Sequence, residues 1–188
     1  MNLNPEKTAV IVVDMQNCFA HEDGSLYSPA SETIIEDIEQ FLESNPDEIL
    51  TVYTRDTHTK QQFDEMTNYD EFDRGGEHAI DGSWGHKIVN GISTMQSDFI
   101  LDKSTYDAFY NTNLDCMLQE RDIDSVIICG TLANVCVMHT ASSAALNDYQ
   151  TIVLEDLVGY IEETDKDYAL DHIDWLFGSV KNTTEISF

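Results

Sequence analysis

Apolar residues in this chain fall into two kinds of run, and the two alternate. Thr8–Val13 (TAVIVV) is a continuous apolar stretch of strand length that stops at Asp14. Ser31–Leu42 has helical spacing, with apolar positions at Ile34, Ile35, Ile38, Phe41 and Leu42. Glu48–Tyr53 (EILTVY) predicts a second strand, which runs into Thr54-Arg55-Asp56-Thr57-His58. From Thr59 to Gly91 polarity is high and periodicity weak, which predicts loops and short helices. Phe99–Leu101 predicts a short third strand ending at Asp102-Lys103, and Asp107–Glu120 a helix. Ser125–Cys129 is the fourth predicted strand, followed by a turn at Gly130 and a helix that starts near Cys136 and runs to about Asp148. Thr151–Leu154 predicts a fifth strand, Lys166–Phe177 a helix and Thr183–Ser187 a last strand. Strands buried on both faces and alternating with helices predict a six-stranded, mostly parallel sheet covered on both sides. That is an α/β fold of three layers, α/β/α and Rossmann-like. With no repeat, linker or low-complexity segment, residues 1–188 read as one domain.

Open parallel sheets bind ligands beyond the carboxyl ends of their strands. The residues there are Asp14, then Asp56 with His58, then Lys103, then Cys136 on the helix after strand four. Alone, each has an ordinary explanation: a turn cap, a loop pair, a solvated lysine, a small buried thiol. Together they form a set. A cysteine at a helix start faces free N–H groups and the positive helix end, which favour a thiolate and can hold an oxyanion. Asp14, desolvated at the end of an apolar strand, is a candidate base, and Lys103 balances its charge. Backbone N–H groups near Leu132 and Cys136 are candidates for the oxyanion hole. The implied chemistry is acyl transfer through a thioester, then hydrolysis.

Charge changes the picture of the surface. The chain carries 36 acidic residues against 9 lysines and arginines, a formal −27, which argues against nucleic acid and anionic membranes as partners. The acids are spread through helical stretches such as Glu32–Glu43 and Glu162–Asp174, as expected of a folded protein in a cytosol of molar salt. The competing expectation is a non-catalytic acidic domain that docks a basic partner. No apolar run approaches a membrane span, and the N-terminus lacks a signal pattern. The four cysteines show no CxxC spacing, which fits a reduced, cytoplasmic protein. Cys129 reads as core, and Cys18 and Cys116 as structural or incidental. His139, one turn after Cys136, is an alternative partner for the thiol, and His172 reads as a packing histidine. No GxSxG, P-loop or GxGxxG motif is present.

Four segments carry a resemblance that covers Thr8 to about Gly159: Val12-Val13-Asp14-Met15-Gln16-Asn17 with Phe19; Arg55-Asp56-Thr57-His58; Lys103 with Tyr106-Asp107-Ala108-Phe109; and Cys129-Gly130 through Cys136-Val137. In order, they resemble the isochorismatase-like cysteine hydrolases, and among these the nicotinamidases. The resemblance places a catalytic triad on Asp14, Lys103 and Cys136. It implies a non-proline cis peptide at Thr131–Leu132, with Thr131 in the substrate pocket and the Leu132 and Cys136 N–H groups as the oxyanion hole. It further implies a divalent metal, zinc or else manganese or iron, on Asp56, His58 and His78. His86 is a rival for the third ligand. Phe19 would wall the pocket, and Trp84 or Tyr69 would replace the tryptophan of a Trp-Pro pair that usually precedes the third ligand, where the residues here are Arg74-Gly75-Gly76-Glu77. Ala133 stands where a threonine is usual and Cys18 where an aspartate is common. The expected activity is hydrolysis of nicotinamide to nicotinate and ammonia, in NAD salvage; the alternative is another small amide, ureido or carbamoyl substrate. Relatives of this kind are often dimers or larger, so a homo-oligomer is expected.

Overall fold

At the centre of the sheet lies β1 (Thr8–Val13), whose six residues are all buried. The computed structural model describes residues 1–65, 76–94 and 99–188. The other strands are β2 (Leu50–Asp56), β3 (Phe99–Lys103), β4 (Ser125–Gly130), β5 (Gln150–Val158) and β6 (Ser179–Lys181). They form one six-stranded sheet in the order β3-β2-β1-β4-β5-β6. Every neighbouring pair is parallel.

Alternation along β1 divides the core. Ala9, Ile11 and Val13 pack against α5 (Leu114–Gln119), α6 (Met138–Leu146) and α7 (Glu163–Leu176). Val10 and Val12 pack on the other side with Ile38 and Phe41 of α3 (Ile35–Ser44). This is the expected three-layer arrangement, and it explains why the central strands β1 and β4 are buried at every position and not every second one. Among the described residues, no helix is long and apolar enough to cross a membrane.

Several boundaries differ from expectation, four of them with a visible cause. The Ser31–Leu42 helix is two helices, α2 (Pro29–Thr33) and α3, because the backbone at Ile34 (φ −92°, ψ −2°) breaks the ladder. The Asp107–Glu120 helix shrinks to α5. Residues 107–113 form turns: Asp107 Oδ1 accepts the Phe109 N–H (2.8 Å), Thr112 Oγ1 donates to Ala108 O (2.6 Å), and Asn111 takes φ +55°. Such side-chain bonds to the local backbone compete with helix. The last strand is Ser179–Lys181, not Thr183–Ser187. A reciprocal cap between Asn182 and Glu185 winds Thr183–Glu185 into a 3₁₀ turn, and Asp156 accepts from the Thr183 N–H and hydroxyl. Lastly, Cys136 does not begin an α-helix. It lies in a π-helical turn, Ala133–Val137, closed by Val137 N–H donating to Leu132 O (3.2 Å), and α6 follows.

The polar stretch after His58 contains α4 (Lys60–Glu65). Tyr69, the alternative aromatic wall, lies outside the described residues.

Candidate active site

The strand order reverses between β1 and β4, the position at which such sheets open a crevice. β1 ends at Asp14, whose backbone turns away at φ +49°. β4 ends at Gly130 with φ +109°, where a Cβ would run into the Val13 backbone. The two strands therefore approach closely just before their reactive groups. Beyond Gly130 the Thr131–Leu132 peptide is cis, as the resemblance implied. Thr131 N–H donates to Val13 O (2.9 Å) and Ala133 N–H to Gly159 O (2.8 Å), which anchors both flanks of Leu132. Among the described residues, the Leu132 N–H itself meets no protein acceptor.

Asp14, Lys103 and Cys136 converge here, all buried. Lys103 is delivered by alternation on β3, where Leu101 and Lys103 face inward while Ile100 and Asp102 face out. Its Nζ lies 2.6 Å from Asp14 Oδ2 and 3.5 Å from Cys136 Sγ, and it donates to Thr105 O at 2.8 Å. Thr54 Oγ1 donates to Asp14 Oδ1 (2.7 Å) and accepts the Asp14 N–H (3.1 Å). Burial raises the Asp14 carboxyl above its ordinary value, outweighing the Lys103 cation. Burial would lower Lys103, but Asp14, with Cys136 and Asp56, holds its ammonium above the usual lysine value. Burial also pushes the Cys136 thiol well up, against the pull of Lys103. The arrangement sets a thiol beside a carboxylate paired with an ammonium, the geometry for passing a proton from sulfur to carboxylate.

A second cluster adjoins it. Asp56, His58 and His78 each offer a ligand atom within 4.8 Å of the others, all buried. His58 Nε2 lies 2.9 Å and His78 Nε2 3.8 Å from Asp56 Oδ2. His78 Nδ1 donates to Gly76 O at 2.9 Å, which turns Nε2 toward Asp56. Burial would raise Asp56, yet His58, Lys103 and His78 hold it below the usual carboxylate value. One carboxylate oxygen and two imidazole nitrogens suit zinc or a similar divalent metal. His86 stands apart from this cluster: its ring bonds Thr57 Oγ1 (2.9 Å) and accepts from the Gly82 N–H (3.4 Å).

Other expected site residues are more dispersed. Phe19 is buried with its ring 6.0 Å from that of His78. Trp84 is 47% exposed, edge-on to His21 at 5.0 Å. With Cys18 and His78 it lines a cavity of about 290 Å³ that touches the His cluster and none of Asp14, Lys103 or Cys136. The Thr131 hydroxyl is bonded to Ser31 Oγ (2.6 Å). His139 is exposed and pairs its Nδ1 with Val135 O (2.7 Å). Cys129 is core, its thiol pushed by burial up to about 12, and all four cysteines are free. Thr54 escaped the sequence reading. The one signal for it is a hydroxyl at an inward position of an apolar strand.

A family model described as Isochorismatase domain matches residues 8–185. The chain belongs to the isochorismatase family. Among its relatives, the ureidoacrylate amidohydrolase RutB of Cronobacter sakazakii is 28% identical over 174 residues, covering 81% of this chain and 74% of that one. The crystal structure of a pyrazinamidase of Pyrococcus horikoshii in complex with zinc superposes with a TM-score of 0.82 at 27% identity, over 94% of this chain and 99% of that one. For an N-carbamoylsarcosine amidase from Thermoplasma acidophilum the TM-score is 0.78 at 32% identity, over 97% and 99%. This isochorismatase-family protein is an amidohydrolase, acting on amide C–N bonds.

Proposed function

We propose that this amidohydrolase is a nicotinamidase that works through a Cys136 thioester. Asp14 takes the thiol proton, and the sulfur attacks the carboxamide carbon. The N–H groups of Leu132 and Cys136 hold the oxyanion. Asp14 returns the proton to the departing nitrogen, and ammonia leaves. Asp14 then accepts a proton from water as its oxygen attacks the thioester, releasing the acid and restoring the thiol. Lys103 stays protonated throughout, holding Asp14 in place and favouring the thiolate. Phe19 and Trp84 border the ring, and Thr131 contributes backbone, since its hydroxyl is taken by Ser31.

The observation that carries this reading is the buried Asp56–His58–His78 set beside the triad. These residues would hold a divalent metal, zinc foremost, which would bind a pyridine ring nitrogen and so orient the carboxamide. A second reading, a ureido or carbamoyl amide, draws on the relatives that act on ureidoacrylate and carbamoylsarcosine. We further propose a cytoplasmic protein in a high-salt cytosol, from the formal charge of −27. Homo-oligomerisation and a part in NAD salvage complete the proposal.

The test is ammonia release from nicotinamide and from ureidoacrylate at high salt, comparing wild type with Cys136→Ala, with metal content measured on the same samples. Release from nicotinamide by wild type alone, with about one metal per chain, supports the reading. Release from ureidoacrylate alone moves the protein to the second reading, and an active Cys136→Ala variant removes the nucleophile.

A further inference from the structure

We infer that Gln16 is the positioning residue of the Asp56–His58–His78 set. The β1–β2 ladder pairs Ala9 with Leu50 through Val12 with Tyr53 and goes no further, although β2 continues to Asp56. Past that point two buried side chains tie the strand ends together: Thr54, bonded to Asp14, and beyond it the fully buried Gln16. Gln16 Oε1 accepts the Asp56 N–H at 2.7 Å, and Gln16 Nε2 donates to Asp56 O at 3.0 Å. The same Nε2 donates to His86 O, also at 3.0 Å. All three bonds end on backbone, so Gln16 fixes chain positions and takes up none of the ligand atoms of the set.

The third bond extends the reach of Gln16 to His78. The segment that carries His78 lies alongside the Asp56–His58 arm: His58 N–H donates to Ala79 O (3.0 Å) and Asp81 N–H to His58 O (2.9 Å). His86 ends that segment, and its carbonyl is the one that Gln16 grips. Residues following Gln16 hold the same stretch, with Asn17 N–H on Lys87 O (2.9 Å) and Asn17 Nδ2 on Trp84 O (2.9 Å). Gln16 is therefore bonded both to the strand that bears Asp56 and to the segment that bears His78. A wholly buried amide with every bond made is costly to disturb. Partners that orient ligands without touching the metal commonly change affinity by about 10–100-fold.

This inference rests on the metal-site reading, and the experiment separates the two. Zinc affinity is measured by competition with a chromophoric chelator for wild type, Gln16→Met and Gln16→Asn. Met keeps the volume and loses all three bonds; Asn keeps the amide but is too short to span both strands. A remote control, Tyr149→Phe, loses the bond to Asp115 Oδ1 (2.8 Å) and reports what a general loss of stability does. The expected result is zinc binding weakened at least about tenfold in both Gln16 variants and unchanged in the control. The alkylation rate of Cys136 should stay within about twofold of wild type, because the triad is held by Thr54 and Lys103. If Gln16→Met does not fold, Gln16→Asn decides. Wild-type zinc affinity in the Gln16 variants, or an equal loss in Tyr149→Phe, overturns the positioning role alone. No zinc binding by wild type overturns the metal site and this inference together.

Discussion

In the proposed mechanism Asp14 acts as a base only when ionised, and its burial works against ionisation. Thr54 helps the other way, by donating to Oδ1. Removing that hydroxyl takes a bond from the charged form, so the Asp14 carboxyl rises further. Thr54→Val should therefore shift the acid limb of kcat/KM to higher pH. A hydrogen bond to a charged group is worth about 1.5–3 kcal/mol, so activity just above that limb should fall about tenfold or more. A pH–rate profile of the two proteins decides; an unmoved limb would mean that Asp14 does not act through the bond to Thr54. Asp14→Asn differs in kind. It leaves the Lys103 ammonium buried without its partner, at a cost of about 3–5 kcal/mol, so urea unfolding should show a large loss of stability as well as lost activity.

Strand ends position the site, and Gly130 is the tightest of them. It combines φ +109° with a Cβ direction blocked by the Val13 backbone. Gly130→Ala should destabilise by more than about 2 kcal/mol, summing backbone strain and overpacking. It should also push β4 from β1 where Asp14 and Cys136 meet, so the loss of kcat should exceed what the unfolded fraction explains. Equal losses of activity and folded fraction would contradict this. The strands were legible in the sequence because parallel strands buried on both faces are apolar throughout; Thr8–Val13 needed no correction. Helix ends were less legible. Periodicity cannot register that Asp107 and Thr112 bond their own backbone, or that Ile34 leaves helical geometry. The convergence of the candidate site was legible as a set of strand-end residues. Thr54 and Gln16 were not, since their roles depend on which backbone they reach across the sheet.

At the scale of the whole molecule the formal charge of −27 dominates. The few cations neutralise only a few acids: Arg55 is bidentate to Asp102 (2.7 and 3.0 Å), and Lys60 bridges Asp64 and Glu77. Most acids therefore repel one another across the surface. Screening falls to about 3 Å at molar salt, so the thermal midpoint should climb steeply from dilute buffer to about 1 M KCl and then level off. A midpoint independent of KCl would refute the high-salt assignment. Lys103 brings a different consequence. It sits on β3, an edge strand of five residues whose only ladder partner among the described strands is β2. Edges fray before centres, and a frayed β3 carries the ammonium away from Asp14 while the middle of the sheet stays intact. Heating should silence this enzyme several degrees before its circular dichroism changes, and amide exchange should be fastest at residues 99–103 when it does.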